Sequence, residues 1–358
     1  MIPVTKPFLP EMHEYNQFVK GIWESNWLTN NGVHVHTLEK ELSKCLEVSS
    51  VYFVSNGTMA LQLSLKALRI KGEVITTPFS FVATTTSLLW EGCKPVFVDI
   101  DASTLCIDTR KIENAITDKT EAILATHVYG NPCDVKEIEK IAQKFQLKVI
   151  YDAAHTFGVK YCGESILSYG DISTLSFHAT KLFHTVEGGG IVNNTGYEID
   201  KYIRQLRNFG VEDNEYQVPG INAKNSEFHA AMGLCNLKYM DEIISERKSL
   251  TQIYDSFLLS VVRRPDIDKE VEYNYAYYPI ILQSEEELLV VKKHLENHHI
   301  QSRRYFYPSL NNLPYIEDKI ECLNSEDIAK RVLCLPLFNG LEANQVEKIS
   351  ELVLERVK

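Results

Sequence analysis

The residues Val51 to Leu68, VYFVSNGTMALQLSLKAL, read as a strand, a turn and a helix in succession. Val51–Val54 is a short apolar run, Ser55–Thr58 has turn chemistry, and Leu61, Leu65 and Leu68 recur on one helical face. A helix starting at Gly57-Thr58 presents free backbone N–H groups and the positive end of its dipole, which together suit an anion. A glycine-tightened N-cap without a ligand fits the same residues. This stretch alone leaves both open.

The alternation continues along the chain. Glu73–Thr77, Pro95–Asp99, Ala122–Thr126 and Lys148–Tyr151 are further strand-like runs, and Pro78–Phe81 must be a loop. Asp134 caps a helix that buries Val135, Ile138, Ala142 and Phe145. Strands and helices of these lengths predict an α/β fold with a large, mainly parallel sheet covered on both faces. Such sheets bind ligands beyond the carboxyl ends of their strands, which is where Gly57, Phe81, Asp152 and Lys181 fall. A carboxylate at the depth of Asp152 costs several kcal/mol unless paired. A protonated ring nitrogen would pair with it, and so would a helix cap or a structural cation.

The stretch Ser173 to Gly190, STLSFHATKLFHTVEGGG, starts as a strand and ends in three glycines. A desolvated lysine is a nucleophile suited to Schiff-base chemistry, and glycines beside it let the backbone approach a flat cofactor. Lys181 is also one of 37 Lys and Arg residues, most of them solvated.

Ser226 to Lys248 is a polar, helix-favouring stretch leading out of a large domain spanning 1–240. A smaller α+β domain, 241–358, follows. In it Tyr275–Leu282 is a strand, Ser284 and Glu287 have capping-box spacing, and Val346, Ile349, Val353 and Val357 share a helical face. Ser302–Pro308, SRRYFYP, is basic and aromatic, compatible with an aromatic phosphorylated ligand or with a plain strand edge.

Composition narrows the function classes. With 358 residues, 44% apolar and 24% charged, the chain has the balance of a soluble enzyme. It has no apolar run of the ~18 residues that span a membrane. Its N-terminus, MIPVTKPFLPEMHEY, lacks a basic-then-apolar leader pattern. No membrane association and a cytoplasmic location are therefore expected. The eight cysteines (45, 93, 106, 133, 162, 235, 322 and 334) include no CxxC pair, which argues against a metal site and a disulfide scaffold. A net charge of −11 would drive no counterion release, so no nucleic-acid partner is expected.

Eight segments in order, WLTNNG (27–32), SNGTMAL (55–61), PFSFVATTTS (78–87), HVYGNPCD (127–134), YDAAHTFG (151–158), SFHATK…EGGG (176–190), GINAKNSEFHAAMG (220–233) and RVLCLPLFNGL (331–341), resemble the DegT/DnrJ/StrS family of sugar-nucleotide aminotransferases that use pyridoxal 5'-phosphate (PLP). The resemblance implies the type I, aspartate-aminotransferase-like fold. It makes Lys181 the Schiff-base lysine and Asp152 the carboxylate that keeps the pyridine nitrogen protonated. Phe81 matches the aromatic stacked on the ring, and Gly57, Thr58 and Ser176 match the phosphate cradle. His155 stands where the family usually has glutamine near the phenolic oxygen, and imidazole can also donate there. Ala179 departs from a position where proline is more frequent. Asn222 matches an asparagine reaching the phosphate from a partner subunit, which implies a homodimer with shared active sites. His178 and the glycines are then packing around the lysine.

The implied reaction is a ping-pong transamination, with L-glutamate leaving as 2-oxoglutarate and the amino group passing to a dTDP-linked keto-sugar. The overall pattern resembles family members that aminate C4 of dTDP-4-keto-6-deoxy-D-glucose to give the 4-amino-4,6-dideoxy sugar of O-antigen-type surface polysaccharides. C3 amination of a 3-keto-6-deoxyhexose is the alternative within the family. A family member that binds PLP without transaminating should have lost Lys181, and a related dehydratase should have histidine there. A phosphate loop at Gly188–Gly190 fails for want of a GxxxxGK[ST] pattern. Trp27, Asn30 and Tyr307 are candidate substrate contacts.

Overall fold

The computed structural model describes residues 1–357. Its centre is a seven-stranded sheet of β1 (Tyr52–Val54), β2 (Glu73–Thr76), β3 (Lys94–Phe97), β4 (Thr120–Thr126), β5 (Lys148–Asp152), β6 (Ile172–Ser176) and β7 (Gly189–Asn193), in the order β1-β7-β6-β5-β4-β2-β3. Only β7 is antiparallel to its neighbours, and the others pair in parallel. Ala122–Thr126 and Val149–Asp152 are buried throughout, as a sheet covered on both faces requires. The α/β expectation holds.

Helices α1 (Met12–Ser25), α2 (Val33–Cys45), α3 (Gly57–Ala67), α4 (Val82–Trp90), α5 (Val135–Phe145) and α6 (Tyr197–Leu206) surround this sheet. Asp134 caps α5 by accepting the Glu137 N–H at 3.1 Å. The helix-favouring stretch 226–248 is helical in two pieces, α7 (Glu227–Leu237) and α8 (Met240–Leu258). The chain tightens between them, with Tyr239 N–H bonded to Asn236 C=O at 3.0 Å. Lys238 and Tyr239 there both hold Glu14 of α1. Packing against α1 therefore overrides helical periodicity.

A second core gathers α9 (Glu285–Asn297), α11 (Ala343–Leu354) and the antiparallel pair β8 (Tyr278–Ile281) and β9 (Val332–Leu335), with α10 (Leu323–Arg331) leading into β9. The expected strand over 275–282 begins late, because Tyr275 has a left-handed backbone (φ 54). Ser284 caps α9 as its spacing indicated. Helix α8 places Met240 and Ile243 in the first core and Leu250, Tyr254 and Leu258 in the second. Ile2 bridges Ile300, so the N-terminal residues lie with this second core.

The three glycines at 188–190 serve the protein, not the cavity described below. A Cβ on Gly189 would stand 2.4 Å from the Asn56 carbonyl oxygen, and one on Gly188 would stand 2.1 Å from Thr185 Oγ1. Bare backbone at β7 is what lets β1 and the start of α3 pack this closely. The opposite side of β1 is held by an ion pair between buried Arg207 and partly buried Glu39. Glu39 of α2 accepts the Phe53 N–H at 2.8 Å and pairs with Arg207, which donates to the Phe53 C=O at 3.0 Å. Arg207→Ala leaves Glu39 without its counter-charge and should lower the unfolding free energy by about 3–5 kcal/mol. The Arg207→Met/Glu39→Leu double variant should recover most of that loss. Urea denaturation of the three proteins measures both effects.

Candidate active site

Beyond the carboxyl ends of β4, β5 and β6 lies a cavity of about 340 Å³. Gly57, Thr58, Phe81, Asp152, His155, Ser176 and Lys181 all border it. These sequence-distant residues come together because each ends or follows a strand that finishes on the same edge of the sheet.

Asp152 ends β5 and is buried. Its Oδ2 accepts the Thr84 hydroxyl at 2.7 Å, and its Oδ1 accepts the Ala154 N–H at 3.2 Å. Thr84 Oγ1 lies 2.6 Å from Ser80 Oγ, which lies 3.0 Å from Thr126 Oγ1. Burial pushes the Asp152 carboxyl above its usual range, opposed by the Thr84 hydroxyl, the Ala154 N–H and the charge of Lys181. Desolvation outweighs the available donors. A cation placed against this carboxylate would reverse that balance.

Lys181 sits in the loop joining β6 to β7. Phe177 N–H bonds to Gly188 C=O at 2.8 Å, Thr185 N–H to Phe177 C=O at 2.9 Å, and Lys181 N–H to His178 C=O at 2.8 Å. These bonds close the loop and hold the amine in the cavity. Nζ donates to Tyr277 Oη at 3.4 Å. Burial lowers the affinity of the amine for its proton, and Asp152 partly restores it. A lysine in this condition offers a lone pair more readily than a solvated one.

His155 is buried, and burial, with the charge of Lys181 added, moves it well below the usual imidazole range. It is neutral at physiological pH. Its Nδ1 accepts the Tyr129 N–H at 3.1 Å, so Nε2 carries the proton and is a donor. Tyr129 holds a left-handed backbone (φ 58).

The start of α3 is free for an anion. Asn56 caps the Met59 N–H at 2.8 Å, leaving the Gly57 and Thr58 N–H groups of the first turn without intrahelical partners. A Cβ on Gly57 would lie 3.0 Å from Ser176 Cβ, so that serine stands directly beside the helix end. Phe81 is 56% exposed on the cavity wall, an apolar side chain available to a flat partner.

Other expectations fall differently. His178 stands on the wall itself, with Nδ1 2.8 Å from Thr180 Oγ1 and Nε2 3.6 Å from Glu187. The glycines at 188–190 do not line the cavity. Trp27, Asn30, Tyr307 and Asn222 also stand off the wall. Trp27 and Asn30 belong to a surface loop tied to α7, where Glu227 N–H donates to the Leu28 C=O at 3.0 Å. Thr84, Tyr277, Arg303, Tyr305 and Phe306 take part without having been singled out individually. A polar run, TTT, inside an apolar helix was the one local signal for Thr84.

Residues 11–354 match the model of the DegT/DnrJ/EryC1/StrS aminotransferase family. The chain is 43% identical to the dTDP-4-amino-4,6-dideoxy-D-glucose transaminase of Shigella dysenteriae, over 98% of each chain. It is 41% identical to the enzyme of that name from Escherichia coli, over 99% of each. Among solved structures, it resembles DesI in the presence of its TDP-sugar product, with a TM-score of 0.93 and 30% identity, covering 98% of this chain and 92% of that one. It also resembles Helicobacter pylori PseC, an aminotransferase involved in pseudoaminic acid biosynthesis, with a TM-score of 0.92, 25% identity and 99% coverage of both. With a desolvated lysine, a buried carboxylate and an anion-ready helix end at one cavity, these likenesses agree: the chain is an aminotransferase and belongs to the DegT/DnrJ/EryC1/StrS family.

Proposed function

We propose that this aminotransferase uses PLP and L-glutamate to aminate C4 of dTDP-4-keto-6-deoxy-D-glucose, giving dTDP-4-amino-4,6-dideoxy-D-glucose and 2-oxoglutarate. The observation that carries the cofactor is Asp152, a desolvated carboxylate that shares its cavity with a buried amine, a neutral imidazole donor and a free helix N-terminus. Each suits one part of PLP. The two relatives above 40% identity support the C4 position and the dTDP-sugar.

Bound here, PLP supplies a reactive aldehyde carbon and an electron-withdrawing ring that stabilises negative charge on a substrate carbon. Asp152 keeps the ring nitrogen protonated. The Gly57 and Thr58 N–H groups and the Ser176 hydroxyl would hold the phosphate, Phe81 would cover the ring, and His155 Nε2–H would donate to the phenolic oxygen. Lys181 is both the attachment point and, once released, the base. Its Nζ takes the α-proton of glutamate in the first half-reaction and delivers a proton to C4 of the sugar in the second. A lowered affinity for its own proton leaves more of the amine unprotonated, which suits it to act as a base.

Asn222 is exposed beside Ile221, itself 45% exposed. Trp27 and Leu28 are each 53% exposed. Apolar side chains left open in this way support a homodimer in which Asn222 reaches the partner's phosphate site. We further place the domain boundary between residues 240 and 241, the enzyme in the cytoplasm, and its product in surface-polysaccharide assembly.

Lys181→Ala should abolish turnover and the yellow absorbance of the loaded enzyme, read by spectrophotometry. Full activity in that variant would refute the assignment. Product NMR after reaction with the 4-keto and 3-keto dTDP-sugars separately should show amination of the 4-keto compound alone. Asp152→Asn should lose turnover while stabilising the unloaded protein. In the wild type the folded carboxyl keeps its proton to higher pH than the unfolded one, so stability falls as pH rises from about 4 through the raised value. The variant lacks this decline, and its advantage in urea midpoint should grow with pH across that window.

A further inference from the structure

Two adjacent arginines after α9 meet opposite fates. Arg304 is enclosed: its Nη2 lies 2.6 Å from Glu285, it faces the carbonyls of Ala329 and Lys330, and it stacks 3.5 Å from the Tyr307 ring centre. Its charge is matched, and its role is to hold the segment down. Arg303 has its backbone N–H and C=O bonded to Cys334 of β9 at 3.0 and 2.8 Å, and its exposed side chain borders the cavity.

The other charges on that wall are committed. Asp152 is held by Thr84 and Ala154, Glu187 faces His178, and Lys181 is the reacting amine. Among the described residues Arg303 is the lining cation without an acid. Its Nη1 donates to Tyr305 Oη at 2.7 Å, and its guanidinium lies 4.8 Å from that ring centre, contacts that orient the fork without neutralising it. It also stands near the chemistry. Tyr305 lies in the fields of both Arg303 and Lys181, and Tyr277, the partner of Lys181 Nζ, lies in the field of Arg303.

We propose that Arg303 binds a carboxylate of the amino donor and so makes this site select an anionic amino acid. This rests on the reading as a glutamate-dependent transaminase. A planar guanidinium takes a carboxylate through two parallel hydrogen bonds, which an ammonium cannot reproduce. Both carboxylates of glutamate lie within a few bonds of its nitrogen, so a cation beside the reacting amine reaches them. The diphosphate of a sugar nucleotide is the competing anion, but the sugar ring separates it from the carbon that reacts.

The test is a spectral titration of loaded wild type, Arg303→Gln and Arg303→Lys with L-glutamate, with keto-sugar KM values and calorimetric binding of glutarate as independent readouts. The glutamate concentration for half-bleaching should rise about 100-fold in the Gln variant and about tenfold in the Lys variant. Glutarate binding should weaken in step, with the keto-sugar KM within about twofold of wild type. A raised keto-sugar KM with unchanged glutamate response would assign Arg303 to the diphosphate and overturn the proposal. Unchanged values throughout would overturn it too. Failure of glutamate to bleach the wild type would instead sink the reading on which it rests.

Discussion

The site depends on keeping one carboxylate ionisable where the sheet is driest. Asp152 ends a strand whose preceding residues, Val149 to Tyr151, are buried, and an isolated charge there would simply take up a proton. The protein answers with two donors and a relay of hydroxyls from Thr84 through Ser80 to Thr126. That relay joins α4, the loop before it and β4 to the end of β5. It stops short of full compensation. The remaining deficit leaves the carboxylate short of positive charge, which is the condition under which a protonated heterocycle would gain most by pairing with it.

The other groups follow from strand direction. Because β2, β4, β5 and β6 are parallel, the loops after them converge on one edge, and the chain can collect Phe81, Asp152, His155 and Lys181 from separate segments. Antiparallel β7 then brings bare glycine backbone against the start of α3, setting the helix end beside Ser176. Glycine is needed there for the close approach of two backbones, which explains why Gly188–Gly190 stay off the cavity although they follow Lys181 so closely.

What could be read from the sequence was what short-range periodicity encodes. The parallel strands and the caps at Asp134 and Ser284 stood out because an apolar run or a capping side chain acts within a few residues. Lys181 and Asp152 were open on physical grounds alone, and resemblance across eight ordered segments gave them roles that the cavity then brought together. The break between α7 and α8 was illegible because its cause, Glu14, lies over 200 residues away. Tyr277 and Thr84 were missed for the same reason: each matters through a partner that no local pattern reveals.

The pair at 303 and 304 shows how sharp that limit is. The sequence presents two identical side chains in a row, and neither composition nor spacing ranks them. Backbone pairing of Arg303 with Cys334 fixes the segment against β9, and consecutive side chains on an extended segment point to opposite sides. One arginine must therefore turn toward Glu285 and the end of α10 when the other turns to the cavity. A carboxylate meets Arg304 inside the protein, whereas among the described residues none meets Arg303. The register of one short strand pairing thus decides which positive charge is structural and which stays available to a ligand.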